Sequence, residues 1–231
     1  MPESAGLAAQ WEMWRERLAG LLPELLEATW DTLYMVGLST FFSLLAGFIL
    51  AVCMILAGPN GLAPRPGVYR ALDAAVNLGR SFPFIILLIA IIPFTRLIAG
   101  TTIGSAASVV PLTVAAIPLV GRLLEGNFLE VDAGVIEAAR SCGASPAQII
   151  FKVLLPEALP AIILNVAVLA ITLLGYSAMA GAVGGGGLGD LAIKYGYNRF
   201  QMDVMIYAVI ILVALVQLIQ TACNFLYNKL R

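Results

Sequence analysis

Histidine is missing from all 231 residues. Its absence excludes a Ser-His nucleophile pair, a His-ligated zinc and the HExxH helix of metalloproteases. Charge is scarce: only 12% of residues are Asp, Glu, Lys or Arg, and the net charge is −1. With no basic cluster, the chain has no electrostatic footprint for nucleic acid. Three cysteines, Cys53, Cys142 and Cys223, are odd in number and far apart. They match no metal-ligand spacing and no disulfide framework, and read as small apolar fillers. No GxxxxGK[ST] phosphate loop occurs, and Lys152, Lys194 and Lys229 stand in no such context. If ATP drives this protein, another polypeptide must bind it. No cofactor is expected.

What the chain has in excess is apolar sequence: 61% hydrophobic residues and a mean hydropathy of +0.95. The bilayer is therefore the expected solvent. Uncharged runs predict spans over residues 32–57, 69–94, 106–124, 160–183 and 204–227. At 1.5 Å rise per residue each can cross a hydrocarbon core of about 30 Å. The second is interrupted by Asp73 and Arg80, and Pro83 and Pro93 should bend or end it. Five spans put the termini on opposite sides. One side collects Arg65, Arg70, Arg80, Arg122, Arg140, Lys152, Lys229 and Arg231; the other has Arg15, Arg17, Arg96, Lys194 and Arg199. The richer side should be cytoplasmic, which places the N-terminus outside and the C-terminus inside. Residues 1–24 carry Leu7, Trp11, Trp14, Leu18 and Leu21 at helical spacing, continued by Leu25, and read as an amphipathic segment at the membrane surface. Residues 25–231 read as one all-α membrane domain, with a cytoplasmic loop over about 125–159.

That loop is written with care. Asp132 is a plausible N-cap for a helix reaching Arg140, and Gly143 supplies a residue tolerant of positive φ to end it. Ser145-Pro146-Ala147-Gln148 has the form of a capping box with proline at N1, so a second helix should start there. Ile149, Ile150, Val153 and Leu154 give it an apolar face, and Pro156 and Pro160 are expected to stop it and reset the chain for the fourth span. Two short helices at a fixed angle make a stiff knob able to transmit force.

Glu137-Ala138-Ala139, Gly143 and Leu155-Pro156 resemble the EAA loop of ABC-importer permeases. Val153 stands where that family usually has isoleucine. "RSFPFIILL" (80–88), "IPFTR" (92–96), "VPLTV" (110–114), "KVLLPEALP" (152–160) and "GYSAMAGAVGGGGLGDLAIKYGY" (175–197) resemble the methionine-importer permeases in particular. The resemblance implies two ATP-hydrolysing subunits whose clefts receive the loop through those six residues. It further implies a second copy of this chain, a substrate-binding protein outside, and a place in the bacterial cytoplasmic membrane.

Asn165, Thr172, Tyr176 and Met179 share one face of the fourth span. A polar stripe on an apolar span should face a partner helix or a wet path rather than lipid, and a ring, a hydroxyl and a thioether suit a passing amino acid. Gly184, Gly185, Gly186 and Gly187 cannot hold a stiff helix and read as part of an outer gate, with a short helix after them capped by Asp190. Arg80 is expected at the cytoplasmic end of its span. Gly187-Leu188-Gly189-Asp190 matches the GxGD signature of intramembrane aspartyl proteases, but that chemistry needs a second mid-span aspartate, and Asp31, Asp73, Asp132 and Asp203 lie at span ends or in loops. An importer of another amino acid or a small peptide remains an open alternative.

Overall fold

The computed structural model describes residues 3–230, with side chains from Arg17 onward apart from Leu18. The described residues are helical with no strand. Helix α1 (Glu3–Ala57) is long. Its last carbonyls are covered by the chain folding back on itself: Ala63 N–H donates to Leu56 O and Arg65 N–H to Ala57 O, both at 3.0 Å. The turn "GPNG" thus closes the helix by satisfying groups that would otherwise be orphaned. Leu7, Trp11, Trp14 and Leu18 lie outside the residues whose side chains are described. Leu21 and Leu25, from the same stripe, pack in the bundle.

The second span is broken. Helix α2 (Pro66–Ser81) starts with proline in its first turn and ends at Phe82, whose ψ of 127° is the extended conformation favoured before Pro83. Helix α3 (Phe84–Ala90) leaves at 101° to α2, and α4 (Ile92–Ala99) follows after a single residue and closes on Gly100 at φ 74°. Helix α5 (Ser105–Leu129) carries Pro111 and Pro118 internally. With α2 and α3 taken as one bent span, the chain has five candidate spans; the other four are residues Ala19–Ala57, Ser105–Leu129, Pro146–Gly181 and Met202–Leu230.

Helices α6 (Ala133–Ser141) and α7 (Pro146–Ile149) form the short pair foreseen in the loop. The expected stop at Pro156 and Pro160 does not occur. A π-helical turn, Ile150–Leu154, carries α7 straight into α8 (Leu155–Gly181). Leu155 N–H donates to Ile150 O across the wider turn. Pro156 follows directly on the π-helical turn, where the i→i−4 ladder is already interrupted, and Pro160 is absorbed inside α8. Then come α9 (Gly187–Leu191), a second π-helical turn (Ala192–Tyr197) and α10 (Met202–Leu230).

Helix α5 is the hub, packed against α1, α2 and α8. It crosses α1 closely: a Cβ on Gly47 would lie 2.5 Å from Val120 Cβ, and one on Gly121 would lie 2.7 Å from Leu50 Cδ2. Small residues at such a crossing let backbones approach where lipid gives no hydrophobic drive. The larger core joins Met35, Leu112, Val120, Leu124 and Phe128 to Ile149, Ile150, Leu154 and Leu173. A second, smaller core at the other end joins Leu25 and Ala28 of α1 to Leu188, Leu191, Val204 and Ala208. The bundle therefore has an elbow end, near α6 and α7, and a glycine end, near residues 184–187.

Candidate functional site

At the elbow end, each local signal has its structural counterpart. Asp132 Oδ1 accepts from Gly134 N–H at 2.6 Å at the start of α6. Gly143 takes φ 78°. Gly143 N–H donates to Arg140 O (2.9 Å) and Ala144 N–H to Ala139 O (3.1 Å), the paired bonds of a Schellman motif. Ala139 and Ala144, the positions that should touch in such a motif, both pack against the core. Ser145 and Gln148 make the reciprocal capping box, with Ser145 N–H donating to Gln148 Oε1 at 2.8 Å and Gln148 N–H to Ser145 Oγ at 3.3 Å.

The elbow's inner face is anchored by Ile149, Ile150 and Leu154, each no more than 3% exposed. Its outer face presents Glu137, Ala138 and Gly143. Leu155 is half-buried against the core and Pro156 is exposed at the start of α8. Arg140 Nη2 donates to Gly61 O at 3.2 Å, tying α6 to the turn after α1. Behind α6 lies a cavity of about 400 Å³ lined by Met54, Tyr69, Glu125, Phe128, Ile136 and Arg140, among others.

Next to this cavity is a charge network that sequence reasoning missed. Arg122 on α5 pairs with Asp73 on α2, donates to Glu125 Oε2 at 2.8 Å, and reaches Asn77 Oδ1 at 3.2 Å. Tyr69 donates to the other oxygen of Glu125 at 3.0 Å, and Asn77 donates to Asp73 at 3.1 Å. Glu125 is 3% exposed, so its charge is held by hydrogen bonds and by a guanidinium. Tyr69, Asp73 and Asn77 recur every fourth residue of α2; that spacing was the available signal for one polar face.

Along α8 the predicted stripe splits into separate contacts. Asn165 Nδ2 donates to Asn127 Oδ1 on α5 at 2.9 Å. Thr172 donates back to Val168 O at 2.8 Å within its own helix. Tyr176 stacks on Phe84, the first residue of α3, with ring centroids 4.5 Å apart and planes 2° apart. Met179 is 48% exposed. The break after α2 thus brings α3 onto the middle of the stripe. The strip Gln217, Gln220, Thr221 and Asn224 on α10 is exposed on the single chain.

At the glycine end the four glycines form a packed junction. Gly104 N–H donates to Gly184 O at 2.9 Å, Ser108 Oγ approaches Gly185 O at 3.4 Å, and Leu188 N–H donates to Thr32 Oγ1 at 2.9 Å. Gly184, Gly186 and Gly187 have positive φ. Gly185 has no space for a side chain, since a Cβ there would lie 2.5 Å from Ser108 Oγ. The short helix after the glycines is present, but its N-cap is Gly186; Asp190 sits inside α9 and makes no cap. A carboxylate cap must precede the helix it serves, and the turn starts one residue after Gly186. Arg17 pairs with Asp203 at 2.5 Å, fastening α1 to the first turn of α10.

Residues 43–230 match the family described as "Binding-protein-dependent transport system inner membrane component". The chain belongs to this family. The permease is 51% identical over 205 residues to the "Probable D-methionine transport system permease protein MetI" of Vibrio cholerae, covering 89% of this chain and 91% of that one. It is 48% identical over 157 residues to the "D-methionine transport system permease protein MetI" of Escherichia coli strain K12, covering 68% and 72%. It superimposes with a TM-score of 0.90 and 44% identity on a structure reported as "Inward facing conformations of the MetNI methionine ABC transporter", covering 92% and 98% of the two chains. An amino acid ABC transporter matches with TM-score 0.76 at 19% identity, which speaks to the fold alone.

Proposed function

We propose that two copies of this permease form the path of an ATP-driven importer for methionine, worked by two separate ATP-hydrolysing subunits and supplied by a binding protein on the outer side. The observation that carries the coupling is the elbow. It is capped at both starts, closed by a Schellman turn, bare on its outer face at Glu137, Ala138 and Gly143, and continuous through the π-helical turn with α8. A push on that face moves the helix that bears Tyr176 and Met179 instead of being lost in a slack loop. The names of the relatives above support methionine as substrate. The coupling set is Glu137, Ala138, Ala139, Gly143, Leu155 and Pro156; the path set is Asn165, Thr172, Tyr176 and Met179; the gate is Gly184 to Gly187.

The elbow end faces the cytoplasm in this reading. Arg65, Arg70, Arg140, Lys152 and Lys229 gather at that end, as expected of a cytoplasmic face. The N-terminus then lies outside and the C-terminus inside, in the cytoplasmic membrane of a bacterium. The test is reconstitution of the chain with its ATPase and binding-protein partners in proteoliposomes, then uptake across a panel of amino acids. Methionine uptake that requires ATP is expected. ATP-driven uptake of some other amino acid, with none of methionine, would overturn the substrate; hydrolysis with no uptake of anything would overturn the transport reading.

A further inference from the structure

Arg80 was expected at the elbow end of α2, and the structure places it elsewhere. Helices α2 and α5 run antiparallel, with Tyr69 opposite Glu125, Asp73 opposite Arg122, and Gly79 against Pro118. Pro118 stands halfway along α5. Phe84, four residues after Arg80 and just past the bend, stacks on Tyr176. Counting equal rises from the Asn127–Asn165 pair sets Tyr176 level with that same middle stretch of α5. Arg80 therefore sits at mid-depth of the bundle, in the last turn of α2.

A guanidinium at that depth is costly unless water or an anion meets it. Arg122 is met by Asp73 and Glu125. Among the described residues Arg80 has no ion pair or hydrogen bond, and it is exposed on the single chain. Nor can a second copy supply a carboxylate. A two-fold axis along the bundle brings the same residues to the same depths, and the nearest acid in depth, Asp73, is already held by Arg122 and Asn77. Asp31, Asp190 and Asp203 lie at the glycine end; Glu130, Asp132, Glu137 and Glu157 lie at the elbow end.

We propose that Arg80 binds the carboxylate of the amino acid in transit, at the bend that leads from α2 to the Phe84–Tyr176 stack. The planar fork of arginine matches a carboxylate with two parallel hydrogen bonds. The substrate's apolar side chain is left to the aromatic stack and Met179. This assignment rests on the import of an amino acid proposed above.

The test uses Arg80→Cys in a chain whose Cys53, Cys142 and Cys223 are serine, assembled with both partners in proteoliposomes. Methionine uptake should fall about tenfold, the loss expected for a hydrogen bond to a charged group. Attachment of a cationic aminoethyl thiosulfonate should restore it, and an anionic sulfonatoethyl reagent should not. Saturating methionine should slow labelling, whereas methioninamide, which lacks the carboxylate, should not. Labelling by neither reagent, labelling indifferent to methionine, or equal protection by the amide would each overturn the assignment. If the cysteine variant does not assemble, Arg80→Gln and Arg80→Lys decide it: Gln should raise KM for methionine about tenfold and Lys, which keeps the charge but loses the fork, should raise it by less, while equal effects of the two would refute a charge contact. A native complex that takes up methionine while Arg80 fails these tests refutes this inference alone; one that takes up no amino acid refutes the transport reading beneath it.

Discussion

Gly143 at the elbow and Gly181 and Gly189 at the glycine end are required for opposite reasons. At the elbow, Gly143 adopts φ 78° with nothing within 4 Å of the position a Cβ would take; the residue is chosen for its backbone angle, in open space. At the other end, Gly189 and Gly181 have ordinary helical backbone but no room. A Cβ on Gly189 would lie 2.4 Å from Ala178 Cα, and one on Gly181 would lie 2.3 Å from Asp190 N. The first kind of glycine belongs to a self-contained turn that can move as a unit. The second kind belongs to a joint where two helices touch backbone to backbone. Gly143 and the pair Gly181 and Gly189 thus differ in what a side chain would violate: a torsion in one case, a volume in the other.

The largest test of this contrast is Gly189→Val. The atoms it meets are backbone and cannot turn aside, so the cost should be on the order of 4 kcal/mol, seen as loss of monodisperse protein after detergent extraction. Next, Glu125→Gln keeps the shape of the buried network while weakening its bond to Arg122; a loss of about 1–3 kcal/mol should appear as a lower melting temperature of the solubilised chain. Gly143→Val should cost only about 1–2 kcal/mol of backbone strain and leave an assembled complex, yet sharply lower the methionine imported per ATP hydrolysed; a normal ratio would remove the elbow from the mechanism. Smallest, Ser145→Ala removes half of the capping box, about 1 kcal/mol, and should show as faster amide exchange at Gln148 with little change elsewhere.

What could be read in the sequence was local. Asp132, Gly143, Ser145 and Gln148 act within a few residues of themselves, and each does what its neighbours in the chain foretell. The apolar runs located the candidate spans for the same reason, but the first and fourth begin well ahead of the expected residues 32 and 160, at Ala19 and Pro146. The misses depended on distant partners or on helix geometry that composition does not encode. Pro156 and Pro160 look like terminators until a π-helical turn makes room for them. Asp73 reads in the sequence only as an interruption of the second span because its partner, Arg122, is 49 residues away. Arg80 was assigned by charge bias to one side, whereas its depth is set by Gly79 against Pro118. The stripe on α8 was visible as a period, but its contact with Phe84 follows only from the 101° bend.

The π-helical turn Ile150–Leu154 also makes the chain tolerant in one spot. Such a turn is an α-helix holding one surplus residue. Removing a single residue there should relax it to ordinary winding while α7 and the far end of α8 keep their mutual phase. The same deletion a few turns later would swing everything beyond it by about 100°, carrying Tyr176 away from Phe84. Loss of one residue is thus expected to be survivable at these five positions, and single-residue deletion scanning with an uptake readout would locate that window.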